Sequence, residues 1–163
     1  MNATAQLLDN NHAYAQSFAH AALPAPPRLK VAILTCMDAR VDPARVLGLE
    51  PGDAHVIRNA GGIVTDDVLR SLSISQHHLG TEEIAVIQHT QCGLLTFSDE
   101  VFASDLERSV GHRPSWTAGT FDDLDASVRE GVRRIQEDPF IPRVQNVKGF
   151  VYDVASGQLR EIA

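Results

Sequence analysis

Two short stretches of the chain hold side chains suited to metal chemistry: Cys36, Asp38 and Arg40 in Cys-Met-Asp-Ala-Arg, and His89 and Cys92 in His-Thr-Gln-Cys. Zinc favours thiolate and imidazole donors, and a catalytic zinc keeps three protein ligands and a fourth position open to water. Cys36, His89 and Cys92 make up such a set. Asp38, two residues beyond Cys36, is placed to reach the metal or its water, and Arg40 can hold that carboxylate through paired hydrogen bonds. The plainer alternative makes both cysteines small buried apolar residues, His89 a hydrogen-bonded core histidine and Asp38 with Arg40 a surface ion pair of little energetic weight.

These residues have to be delivered by separate elements. The nearly continuous apolar run Leu29 to Thr35 reads as a strand buried on both faces, with Cys36 at its carboxyl end. A short helix is expected around Pro43 to Leu47, then a turn at Pro51-Gly52 and a second strand over Ala54 to Arg58, ending in Arg58-Asn59-Ala60-Gly61-Gly62. Thr65 suits a helix N-cap, Asp66 and Asp67 suit the positive end of the helix dipole, and Gly80 closes a helix carrying Val68, Leu69, Leu72 and Ile74. A third buried strand, Ile84 to Ile87, runs straight into His89-Thr90-Gln91-Cys92-Gly93. Helices follow over Ser98 to Val110 and Asp122 to Glu137, the second with Leu124, Val128, Val132 and Ile135 on one stripe. Val147 to Val154 and Gln158 to Ile162 flank Ser156-Gly157, a hairpin turn. At the start, Leu7, Tyr14 and Phe18 recur at helical spacing between about Thr4 and Ala21, and Pro24, Pro26 and Pro27 are expected to stop that helix.

Strands alternating with helices predict an α/β fold: a mainly parallel open sheet flanked by helices, with an antiparallel edge hairpin at the C-terminus and an N-terminal helical arm. Ligands of such sheets bind outside the carboxyl ends of the strands, where Cys36, Asn59 and His89 all fall. Residues 1–163 are expected to form one domain, with 1–28 as the arm and its proline-rich linker, and that arm is expected to lie across a second subunit. The formal charge of −7 and the scattered Lys and Arg argue against nucleic acid as a partner. No leader pattern or membrane-length apolar run is visible, so a cytoplasmic protein is expected, in which two cysteines point to a metal site or a reactive thiol before a disulfide.

Cys36-Met37-Asp38-Ala39-Arg40 with His89-Thr90-Gln91-Cys92-Gly93 resembles the paired signatures of the β-carbonic anhydrases, and Arg58-Asn59-Ala60-Gly61 resembles the segment between them. Thr65 to Leu72 is similar to the compact bacterial branch that includes mycobacterial members. The resemblance implies reversible hydration of carbon dioxide to bicarbonate by hydroxide generated on Zn2+, with Cys36, His89 and Cys92 as metal ligands and Asp38 and Arg40 as catalytic residues. It also implies a closed state with Asp38 as fourth ligand, and a homodimer or homotetramer. Hydrolysis of carbonyl sulfide or carbon disulfide at the same zinc is the nearest alternative, since the metal motifs do not separate the substrates. A cysteine-nucleophile enzyme fits poorly, because Met37-Asp38-Ala39 puts a carboxylate where an anion would bind. A structural zinc protein fits poorly too, because three Cys or His ligands plus a carboxylate form the open type of site. His55, His77, His78 and His112 are possible proton shuttles, and nothing in the sequence singles out any of them or surrounds Trp116 with a recognisable pocket.

Overall fold

The computed structural model describes residues 2–163. After the helix α1 (Ala3–Gln16) come β1 (Val31–Cys36), α2 (Pro43–Leu47), β2 (Ala54–Asn59), α3 (Asp66–Leu79) and β3 (Glu83–His89), then α4 (Asp99–Val110), α5 (Leu124–Gln136), β4 (Val147–Tyr152) and β5 (Leu159–Glu161). The five strands form one sheet in the order β2-β1-β3-β4-β5. β1 pairs in parallel with β2 and β3, β3 with β4, and β5 closes the sheet antiparallel to β4. The α/β architecture with its edge hairpin is the one the alternation predicted.

The two central strands are apolar throughout because both faces are covered: Ala32, Ile33 and Leu34 of β1, and Ile84, Val86 and Ile87 of β3, are all buried. They pack with Val68 and Leu72 of α3 and Val132 and Ile135 of α5. Each Val, Leu or Ile among them contributes about 1.5–3 kcal/mol on leaving water. α3 is bounded as its sequence suggests, with the Thr65 hydroxyl accepting from the Val68 amide at 3.4 Å and Gly80 left-handed at its C-cap. Its inner face is Val68, Leu72, Ser75 and Gln76, and Ile74 turns outward, 41% exposed. Ile74 follows Leu72 by two positions, which a helix rotates to the opposite side. The short turn at Ala60–Gly62, with Gly61 and Gly62 left-handed, and the 3-10 turn at Gly93–Leu95 were not among the elements expected from the sequence.

α1 departs from expectation at its end. It stops at Gln16, with the Ser17 amide donating to Tyr14 and Ala15 carbonyls, well before the prolines at 24, 26 and 27. None of its side chains is buried, so no packing supports a further turn. The linker behind it is fixed where it meets the sheet: the Arg28 and Leu29 amides donate to the Gly52 and Asp53 carbonyls, both at 2.9 Å. Asp53 also accepts from Arg28 Nε at 2.7 Å and from the Glu50 amide at 3.0 Å. The Arg28 hydrogen bond, with that amide, holds the Asp53 carboxyl below the usual carboxylate range. A depressed folded pKa adds stability above the unfolded value, about 4, and that contribution is lost as pH falls through the folded one. Asp53→Asn is therefore expected to melt below wild type at pH 6, with the gap closing on acidification below pH 4; an equal gap at both pH values would contradict this role for Asp53.

Among the described residues no helix is long and apolar enough to cross a membrane.

Candidate metal centre

Cys36 ends β1 and His89 ends the neighbouring β3, so parallel pairing alone brings their side chains to the same rim. Past His89 the chain turns back through Gln91, a non-glycine residue in the left-handed region at φ 56°, and this reversal returns Cys92 to the same point. The ligand atoms of Cys36, His89 and Cys92 lie within 4.8 Å of one another, and all three residues are buried. Neither cysteine is in a disulfide.

The donors are set for a cation. His89 Nδ1 lies 2.9 Å from the Thr90 carbonyl oxygen, which can only accept, so Nδ1 carries the proton and Nε2 presents its lone pair. Nε2 is buried without a hydrogen-bond partner, a costly state for a polar atom and the expected one for a metal donor. Burial pushes the Cys92 thiol up, and the neighbouring Cys36 adds to that, so ionising both sulfurs here calls for a positive charge between them. The Asp38 amide points at Cys36 Sγ from 3.4 Å, a donor suited to a thiolate. Two thiols and an imidazole without a fourth protein donor among them fit the open zinc type.

Asp38 and Arg40 meet as the sequence suggests. Arg40 Nε and Nη2 donate to the two carboxylate oxygens at 3.0 and 2.7 Å, and the Arg40 amide adds a third bond at 2.9 Å. The Arg40 side chain, then its amide, hold the Asp38 carboxyl far below the usual carboxylate range. Asp38 Oδ2 is 3.7 Å from His89 Nε2, within reach of whatever that nitrogen binds. Arg40 Nη2 also donates to the Gln91 carbonyl at 3.0 Å, which the left-handed turn aims at it.

The sequence places Asn59 on the rim and Arg58 to Gly61 in a signature, and the structure gives them tasks that the sequence did not. Arg58 reaches from β2 to donate to the carbonyls of Cys36, Asp38 and Val41 at 3.0, 2.8 and 2.9 Å, fixing the turn that carries Cys36 and Asp38. Asn59 closes the loop behind it, donating to the Ile63 carbonyl and accepting from the Ile63 amide at 2.7 and 3.0 Å. Gly62, at φ 61°, lies so close under β1 that a Cβ there would stand 2.9 Å from the Cys36 nitrogen.

Beside the two cysteines opens a cavity of about 470 Å³, lined by Cys36, Asp38, Cys92, Leu94, Phe97, Phe102 and Trp116 among others. Phe102 links the aromatic wall, its ring centroid 5.4 Å from Phe97 and 6.3 Å from Trp116. Trp116 thus has the pocket its sequence context did not reveal. His55 bonds Ser75 Oγ at 2.7 Å and His77 faces the Phe140 carbonyl at 3.1 Å, and none of His55, His77, His78 and His112 lines the cavity.

The family model described as carbonic anhydrase matches residues 31–119. Over 162 residues, 99% of both chains, the sequence is 48% identical to β-carbonic anhydrase 1 of Mycobacterium tuberculosis. The chain belongs to the β-carbonic anhydrases. A crystal structure of the carbonic anhydrase from Streptococcus mutans superposes with a TM-score of 0.94 at 43% identity, covering 100% of this chain and 99% of that one. A carbon disulfide hydrolase from Acidianus is 36% identical, covering 83% of this chain and 78% of its own. The β-carbonic anhydrases are zinc enzymes, and the Cys36, His89 and Cys92 group is one that could hold that metal.

Proposed function

We propose that this β-carbonic anhydrase hydrates carbon dioxide reversibly to bicarbonate and a proton, with zinc held by Cys36, His89 and Cys92. The observation that carries the reading is the meeting of those three donors at one point, with the two cysteines and an ionised carboxylate lining an apolar cavity. When bound, zinc acidifies water towards neutrality and so supplies the nucleophile without a strong base.

The chain's own residues do the rest. Held ionised by Arg40, Asp38 can only accept a hydrogen bond. It takes the one offered by the attacking oxygen and turns that oxygen's lone pair towards the substrate carbon. Arg40 keeps the carboxylate in this attitude, and the Gln91 carbonyl keeps Arg40 in its own. For Asp38 to act instead as a fourth ligand it would have to give up three hydrogen bonds to Arg40, so the open arrangement is the resting one in this reading. Leu94, Phe97, Phe102 and Trp116 offer walls without charge to a linear molecule that has no net dipole. With no histidine on the cavity, buffer carries the proton away.

The same walls admit the more polarisable sulfur analogues, and relatives at 36% and 37% identity are carbon disulfide hydrolases. That second reading is tested beside the first. Stopped-flow assays of the zinc-loaded protein are expected to show carbon dioxide hydration that drops about 10²-fold in Asp38→Ala, the scale of losing orientation at a reacting group. Turnover of carbon disulfide or carbonyl sulfide without carbon dioxide would move the substrate, and hydration unaffected by the substitution would remove Asp38 from the mechanism.

The reading extends to a cytoplasmic homodimer or homotetramer. Two cysteines placed for a metal and not for a disulfide are in keeping with that compartment. The arm favours the assembly: Leu7, Leu8, Tyr14, Phe18 and Leu23 are all about half exposed or more, an apolar surface that nothing in its own chain covers. Deleting residues 2–24 is expected to lower the number of chains per particle in light scattering. An unchanged number would leave the arm a decoration of the monomer.

A further inference from the structure

The imidazole of His89 is oriented by a carbonyl, and that carbonyl is itself held by a distant part of the chain. The Thr90 amide donates to the Tyr152 carbonyl at 2.9 Å, extending the pairing of β3 with β4 by one residue. The Thr90 hydroxyl then makes two bonds to the turn between β4 and β5, donating to Asp153 Oδ1 at 3.2 Å and accepting from the Val154 amide at 3.1 Å. Asp153 is braced in turn, with Oδ1 accepting from the Ala155 amide at 2.9 Å and Oδ2 from Ser156 Oγ at 2.8 Å. Its backbone closes the turn, accepting from the Gly157 amide at 2.8 Å and donating to the Gln158 carbonyl at 2.9 Å.

We propose that Thr90 and Asp153 are positioning residues of the metal centre, the C-terminal hairpin turn gripping the Thr90 hydroxyl so that the Thr90 carbonyl holds the His89 ring with Nε2 facing the two sulfurs. Neither residue lines the cavity or belongs to the donor group, so both act through His89. A hydroxyl that both donates and accepts is what the position requires, and valine, of the same shape, offers neither. Loosening the grip frees the carbonyl to drift and lets the imidazole turn or change tautomer, and partners of this kind are commonly worth 10–100-fold in metal affinity.

The assignment rests on the zinc reading above and is tested on the full-length, zinc-loaded protein by competition with a chelator, by the visible spectrum of the cobalt(II) form, and by the melting temperature of the metal-free form. Thr90→Val and Asp153→Ala are both expected to weaken zinc binding by about 10–100-fold and to shift the cobalt bands. Thr90→Ser, which keeps the hydroxyl, and Asp153→Asn, which keeps an oxygen acceptor, are expected to bind as wild type does. Should Thr90→Val fail to fold, Asp153→Ala in the outer turn gives the answer alone. Zinc affinity and cobalt spectrum equal to wild type in the folded disruptive variants would overturn the proposal even if they melt lower, since a purely structural clamp lowers only the melting temperature. Failure of Thr90→Ser to match wild type would overturn it as well. A wild-type protein that retains no zinc defeats the zinc reading itself, whereas indifferent variants of a zinc-holding protein defeat the hairpin assignment alone.

Discussion

Cys92→Ala is expected to yield a folded protein that retains no zinc through dialysis against a chelator and hydrates carbon dioxide no faster than buffer does. The substitution removes a single sulfur from a small apolar cluster with Cys36 and Leu94, so the loss of packing is modest, on the order of 1 kcal/mol. The loss of chemistry is not. Cys36 and His89 alone make a two-donor site with no closed geometry for zinc. Without the metal nothing acidifies the water, and a fall in turnover of more than about 10³-fold follows from the missing nucleophile. Metal analysis and stopped-flow hydration on the same sample check both halves. Full zinc content with unimpaired hydration would place the chemistry elsewhere.

Gly62→Ala is expected to have the largest effect on stability. Gly62 is left-handed, and an added Cβ would meet the Cys36 nitrogen and the Thr35 carbonyl carbon at 2.9 Å and the Ile87 oxygen at 3.1 Å. All three are backbone atoms of the two central strands, which cannot swing aside as a flexible side chain would. Overpacking of a rigid interior costs about 1–3 kcal/mol and the left-handed backbone about 1–2 kcal/mol more for a residue with a Cβ. For a chain of this size that amounts to a Tm lower by roughly 10 °C. Gly157 is the control, left-handed at φ 74° but with open space around it, so Gly157→Ala should show the backbone cost alone. Equal melting temperatures for the two variants would mean that β1 yields where packing says it should not. Because the clash falls on the Cys36 amide, Gly62→Ala should also weaken zinc binding, and Gly157→Ala should not.

What was legible in the sequence was local. The apolar runs of β1 and β3, the cap at Thr65 and the glycine stop at 80 are signals carried within a few residues of the feature they specify. The donor set was legible because thiolate, imidazole and a paired carboxylate are scarce in combination, and strand ends in an α/β sheet converge by topology. The tasks of Arg58, Gly62, Gln91 and Trp116 were not legible, though Arg58 and Gln91 stood inside the quoted motifs. Each acts across a tertiary contact: Arg58 on carbonyls about 20 residues back, Gly62 against the backbone of β1, Gln91 through its carbonyl with a side-chain type that announces nothing, Trp116 from a loop without periodicity. The end of α1 was misread for a related reason. Prolines mark where a helix cannot continue, whereas this helix ends earlier, at the Ser17 C-cap.

Cys36 also sits far along the chain from His89 and Cys92, and only the folding of β1 beside β3 brings them together. A cation bound there joins residue 36 to residue 89 and so closes a ring of about 50 residues, as a disulfide would, but with a bond that a chelator can open. Closing such a ring withholds from the unfolded chain conformational freedom worth about 4 kcal/mol on the chain-entropy scale. On the zinc reading, one set of atoms would then serve two ends: holding the metal beside the cavity, and cross-linking the chain so that the folded protein is more stable with the cation than without it.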